Sequence, residues 1–138
     1  MSEWRAHGQN LGLLVLRLGL GFMFAWQHGW PKVQGGPPKW TRLGKAVKHL
    51  GIEDHYEIFG GLAAWSEFAG GLLLMLGLFV RPSAFLLTCT MFVAAVMHLG
   101  SGDGLGGASH AIEVGVACLA LTLIGAGRYS LDHRIFRR

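Results

Sequence analysis

The sequence predicts an all-α integral membrane four-helix bundle, with an amphipathic interfacial helix between helices 1 and 2. Three observations carry this. Of the 138 residues, 51% are hydrophobic and only 14% charged, and the mean hydropathy is +0.41, too apolar for an ordinary soluble chain of this length. Four stretches, near 10–29, 58–80, 82–99 and 108–126, each approach the ~20 helical residues that cross about 30 Å of hydrocarbon. Gly, Pro or charged segments separate them, so the whole chain, 1–138, reads as a single membrane domain.

The first span is interrupted by Arg17 and no A-x-A-like site follows, which argues against a cleaved signal peptide. It is expected to close near His28-Gly29, before Trp30-Pro31, and Gly35-Gly36-Pro37-Pro38 then breaks the helix. Over 39–50, Trp40, Leu43, Val47 and Leu50 recur at helical spacing, with Lys39, Arg42, Lys45 and Lys48 around the rest of the wheel. A basic helix lying in the interface and a loop helix packed on the bundle both fit that pattern. Little more than Arg81-Pro82 separates the second and third spans; Pro82 can open the third, making the two antiparallel neighbours. Leu99–Gly107, with five glycines, Ser101 and Asp103, reads as a flexible, solvated connection. After the fourth span, Gly125 and Gly127 are stop signals, and Ser130 or Asp132 can cap a short basic tail ending in Arg137-Arg138.

Several functional classes are excluded. Cys89 and Cys118 lie far apart in apolar segments with no CxxC and no zinc spacing, so neither a disulfide framework nor a dithiol motif is supported. The net charge of +4 comes from bases beside membrane segments, not from a nucleic-acid patch. Gly100–Gly107 follows no strand and is no nucleotide fingerprint. Arg5, Arg81, Arg128, Arg134, Arg137 and Arg138 lie on the side of the termini, against Lys32, Lys39, Arg42, Lys45 and Lys48 on the other. The compact tail cluster favours termini on the cytoplasmic side.

Function has to be argued from charge inside the apolar stretches. Ile58–Val80 carries Glu67, Leu11–Trp26 carries Arg17, and Ala108–Ala126 carries His110 and Glu113. Each charge at mid-bilayer costs at least ~2.5–3.5 kcal/mol on insertion scales, which marks such residues as candidates for function. With the ends of the first two spans aligned and ~1.5 Å of rise per residue, Arg17 and Glu67 lie at comparable depth and are expected to pair. His28, His98, His110 and Glu113 gather towards one membrane face above them, with His110 and Glu113 one turn apart.

That arrangement suits a shallow pocket for an amphipathic redox molecule such as a quinone or quinol. Glu67, Glu113, His98 and His110 are the expected proton-exchanging groups. Arg17 and His28 are expected to bind the ligand, with Trp26, Trp30, Trp65 and Phe68 as aromatic walls. Trp4, Trp26, Trp30 and Trp40 equally suit an aromatic belt at the interface. Gly19, Gly21, Gly60, Gly61, Gly70, Gly71 and Gly77 are expected to permit close helix contact. A metal site on His98, His110 and Glu113 is the weaker alternative: four-helix di-iron sites use two Glu-x-x-His motifs, whereas His110-x-x-Glu113 is reversed and occurs once. Haem ligation is disfavoured because interface-level histidines are commonly polar end groups. An Arg17–Glu67 pair that merely locks the helices is the structural alternative.

The chain also resembles a known family. Leu16-Arg17-Leu18-Gly19-Leu20-Gly21-Phe22-Met23-Phe24, running on to His28-Gly29-Trp30-Pro31-Lys32, is similar to the first segment of DoxX-family membrane proteins. Trp65-Ser66-Glu67-Phe68-Ala69-Gly70-Gly71 with Leu76–Arg81 resembles the second segment, and Ala108–Glu113 with Gly125–Asp132 the fourth segment and closing signature. The resemblance implies a multi-pass protein of the inner (plasma) membrane in a family named for a thiosulfate:quinone oxidoreductase. It places Arg17, Glu67, Glu113 and His98 on the family's polar intramembrane positions, and Asp132 in a motif that anchors the tail. Neither cysteine lies in a polar setting suited to sulfur chemistry. Three roles follow: a quinone-linked redox subunit with a partner for electron entry, a non-enzymatic scaffold for a redox enzyme, or a small-solute or proton path. The last would call for a homo-oligomer, since four helices leave little room for a pore.

Overall fold

The first helix outruns its apolar stretch. The computed structural model describes residues 3–136. Helix α1 (Glu3–Phe22) passes through a π-helical segment, Met23–Gly29, into α2 (Trp30–Gln34), making one continuous rod. Pro31 is tolerated inside it because the turn before it is already widened: the Trp30 N–H bonds the Ala25 carbonyl five residues back. The wider turn relieves the clash that a proline ring makes with the carbonyl four residues earlier. The rod therefore does not stop at His28-Gly29 as its hydropathy suggested.

Pro37 and Pro38 begin a helix. They occupy the first turn of α3 (Gly36–Gly44), where missing N–H groups leave nothing unbonded. A 3₁₀ turn, Lys45–Leu50, completes the basic segment. Its apolar face lies against the bundle: the backbones of Gly44 and Gly60 meet the Tyr56 and Trp40 carbonyls so closely that a Cβ at either glycine would collide. Of the two readings of 39–50, a helix packed on the bundle describes this contact.

The three remaining spans are α4 (Tyr56–Leu76), α5 (Val80–Gly100) and α6 (Gly104–Ile124). With the α1–α2 rod they make four helices long and apolar enough to cross a membrane among the described residues. The α4–α5 break falls at Gly77-Leu78-Phe79, ahead of Arg81-Pro82. Gly77 adopts φ +68° and closes α4 in a Schellman arrangement, with Leu78 N–H on the Leu73 carbonyl at 3.0 Å. Pro82 then sits in the first turn of α5, as expected. The glycine-rich connection is short, because α5 persists to Gly100 and α6 already starts at Gly104. A final helix, α7 (Leu131–Phe136), folds back under the bundle, and Ser130 Oγ accepts the His133 N–H at 3.2 Å. The tail residues Arg137 and Arg138 lie outside the described residues.

Neighbouring helices pack in the order α1, α4, α5, α6, and along the fourth side α1 and α6 stand apart. The closest approach is α1 on α4. A Cβ on Gly21 would lie 2.6 Å from the Gly71 carbonyl, one on Gly71 2.6 Å from the Ala25 nitrogen, and one on Gly29 2.5 Å from the Phe68 Cα. Gly21, Ala25 and Gly29 repeat every four residues, forming the small-residue stripe that lets membrane helices meet backbone to backbone. Gly19, off this stripe, meets nothing within 4 Å. Leu74, Val80, Ala84, Leu87, Cys118 and Leu121 fill the core.

The two glycines give a paired test. Gly71→Ala should destabilise the protein by about 1–3 kcal/mol, the usual cost of overpacking, whereas Gly19→Ala should be neutral or stabilise by up to ~1 kcal/mol through helix propensity. Thermal unfolding of both variants in detergent checks this; equal effects would discount the tight α1–α4 contact.

Candidate functional site

The seam between α1 and α6 holds a cavity of about 370 Å³ towards the α5–α6 loop end. Its walls are apolar, including Leu20, Phe24, Met91 and Val114, and its polar lining is His28, Lys32, Glu67, His98 and His110. Such a volume is within the ~300–1,000 Å³ of small-molecule sites.

Glu67 is 1% exposed, and its partner is Lys32, whose Nζ donates to Oε1 at 2.7 Å and Oε2 at 2.6 Å. A carboxylate this deep requires a paired cation, and the continuous rod supplies it by carrying Lys32 past Pro31 onto the face of Gly29, which abuts Glu67 and Phe68. The turn bearing Lys32 is pinned in its own right: Trp40 Nε1 donates to the Lys32 carbonyl and Lys39 Nζ to the Pro31 carbonyl, both at 2.9 Å. Trp40 in turn lies over Gly60 and Gly61.

The expected Arg17–Glu67 pair does not form. Arg17, fully buried, donates to the Leu74 carbonyl at 3.4 Å and to the Tyr129 carbonyl, near the opposite end of the bundle. Aligning the ends of the first two spans misplaced it, because α1 continues beyond His28: the level of Arg17 on α4 is near Gly77, about ten residues or roughly 15 Å from Glu67. Arg17 is thus no part of this cavity.

Three histidines do meet there. The His28 and His110 rings lie 5.9 Å apart, and Phe24 stands 6.2 Å from His28. His98 lines the same cavity, with its Nδ1 held 2.7 Å from Asp103 Oδ2, which orients the ring. Glu113 does not join them. It is exposed on the outer side of α6, since three residues from His110 is about 60° off its face, enough to leave the narrow seam. Trp26, Trp30, Trp65 and Phe68 also stand outside. They form an aromatic ladder on the outer surface, with centroid separations of 6.5 Å for Trp26–Trp30, 5.3 Å for Trp30–Phe68 and 6.0 Å for Trp65–Phe68. The cavity walls are aliphatic residues, methionines and Phe24 instead. Among the described residues, no three His, Cys, Asp or Glu side chains gather closely enough to hold a metal ion, His98, His110 and Glu113 included.

Two participants escaped the sequence reading. Lys32 falls beyond the apolar run, yet its spacing of four from His28 puts both on one face once the helix continues through Pro31. Asp103 reads as part of a flexible connection, and the tight turn between α5 and α6 brings it to His98.

Four helices long and apolar enough to cross a membrane define a multi-pass membrane protein. The sequence profile of the DoxX family matches residues 12–100, and the chain belongs to the DoxX family. The match covers the first three spans; the closing segment Gly125–Asp132 lies beyond it. No curated protein and no solved structure matches the chain.

The ion pair predicts an asymmetric response. Lys32→Met should cost about 3–5 kcal/mol by leaving a buried carboxylate unpaired. Glu67→Leu should cost less, because Lys32 is 24% exposed and can turn to solvent. The double variant should recover most of the loss, and unfolding in detergent measures all three. At the other end, Asp132 accepts the Phe79 and Val80 N–H groups at 2.7 and 3.0 Å, capping α5 from the distant tail. Asp132→Ala should therefore cost about 1–2 kcal/mol.

Proposed function

We propose that this protein is a quinone-linked redox subunit of the inner membrane that takes a quinone or quinol headgroup into the α1–α6 cavity and exchanges protons with it. The observation that carries this is the cavity itself: apolar walls open along a seam between two spans, with the Lys32–Glu67 pair and His28, His98 and His110 as its polar lining. A flat, largely apolar ring bearing two carbonyl oxygens matches that combination, needing apolar walls, hydrogen-bond donors and a proton acceptor. Entry along the seam suits a molecule dissolved in the bilayer.

Roles follow from chemistry and position. Lys32 Nζ and the ring N–H groups of the histidines are donors to carbonyl oxygens. Glu67 is the carboxylate of the lining, and the two bonds from Lys32 Nζ orient it. His98, held through Nδ1 by Asp103, offers its other nitrogen for exchange near the membrane face. A bound quinone would supply the two-electron carrier; electrons would enter from a redox partner.

Gently purified protein should retain quinone in its lipid extract, with an optical spectrum that changes on reduction. Glu67→Gln and His98→Ala should each lower retention roughly tenfold or more, as expected for a hydrogen bond to a charged or polarised group, with helical content unchanged by circular dichroism. Wild-type retention in both variants would remove this site. Their indifference combined with a co-purifying soluble enzyme would instead make the protein an anchor for that enzyme.

A further inference from the structure

The seam carries a second cavity at its other end, of about 390 Å³, enclosed by α1, the start of α5, the turn after α6 and α7. Its character is opposite to that of the first. Arg81, Arg128 and His133 line it, and its carboxylate, Asp132, has both oxygens engaged by the Phe79 and Val80 N–H groups. Arg17 approaches from behind, bonded to the carbonyl of Tyr129, three residues before Asp132. An anion entering the cavity therefore meets guanidinium groups rather than an unengaged carboxylate.

The cationic groups are arranged by the backbone. Gly125, at φ +91°, lets the Arg81 side chain lie where a Cβ would come within 3.1 Å of Nε. Arg81 is held by one bond, to the Leu123 carbonyl at 3.2 Å, leaving its other donors. Arg128 has its main chain fixed, N–H to Asn10 Oδ1 at 2.7 Å, while its side chain is exposed and has no hydrogen-bond partner among the described residues. Two guanidinium forks beside a polar cavity match the oxygens of a phosphate group.

The surroundings distinguish a lipid from a soluble anion. The cavity lies where α5 begins and α6 ends, at the edge of the hydrocarbon. Ile124 and Phe136, which line it, are 60% and 61% exposed, so the rim is apolar next to the cationic interior. Basic pockets between spans with apolar rims suit a headgroup whose acyl chains run down the adjoining surface. We propose that this cavity binds the phosphate of an anionic phospholipid, with Arg81 and Arg128 as its principal ligands.

Native mass spectrometry of the protein released from a neutral detergent tests this with three probes: phosphatidylglycerol, phosphatidylcholine and inorganic phosphate. Phosphatidylglycerol should be retained in preference to phosphatidylcholine, and the Arg81→Gln/Arg128→Gln variant should lose that preference by roughly tenfold or more. Both residues are on the surface, and the variant should keep its thermal stability in phosphatidylcholine. Equal retention of the two lipids, or an unchanged preference in the variant, overturns the proposal. Retention of inorganic phosphate with no lipid preference overturns the lipid assignment and makes the cavity a soluble-anion site.

Discussion

The register between α1 and α4 governs the rest of this structure. Gly21, Ala25 and Gly29 meet Gly71 and Phe68 at backbone distance, so sliding one helix along the other would drive larger side chains into the contact. In hydrocarbon there is no hydrophobic force between helices, and this steric fit together with polar pairing has to hold them. The register then decides which charges meet. It puts Glu67 opposite Lys32 and carries Arg17 to the carbonyls at the α4 C-terminus and the tail.

Each of these charges is met by a different kind of partner. Glu67 has a cation. Arg17 has peptide carbonyls, that of Leu74, which also accepts the Gly77 N–H, and that of Tyr129; its Nε lacks a partner among the described residues. Asp132 satisfies the open N-terminus of α5. These contacts tie together residues more than fifty positions apart, so the Arg17–Asp132 end behaves as one polar knot. Beside that knot Arg81 and Arg128 line the second cavity, while at the opposite end the Lys32–Glu67 pair and three histidines line the first.

The wide side of the bundle follows from the same packing. Glycines draw α1 onto α4, while α5 and α6 pair closely and leave α1 and α6 apart. Both cavities occupy that one seam, separated by the core around Leu74, Leu87, Cys118 and Leu121. One is apolar with an internal ion pair; the other is cationic with an apolar rim. Lying at opposite ends of the spans, they face opposite sides of the membrane.

The membrane class, the four spans, close contacts at Gly21, Gly60, Gly61 and Gly71, and the charges that demand explanation are legible in the chain alone. These follow from local composition: apolar runs of spanning length are legible wherever they occur, and an ionisable residue inside one stands out. His28, His98 and His110 were also legible as neighbours, since each lies near the same end of its span. The partners of those charges come from packing. Whether a helix continues through Pro31 depends on a π-helical turn and on Trp40 bonding the Lys32 carbonyl, neither of which hydropathy can register. That continuation shifted α1 against α4 by about ten residues and replaced Arg17 with Lys32 beside Glu67. Depth along a helix can be counted from sequence; the offset between two helices is set by where their backbones fit.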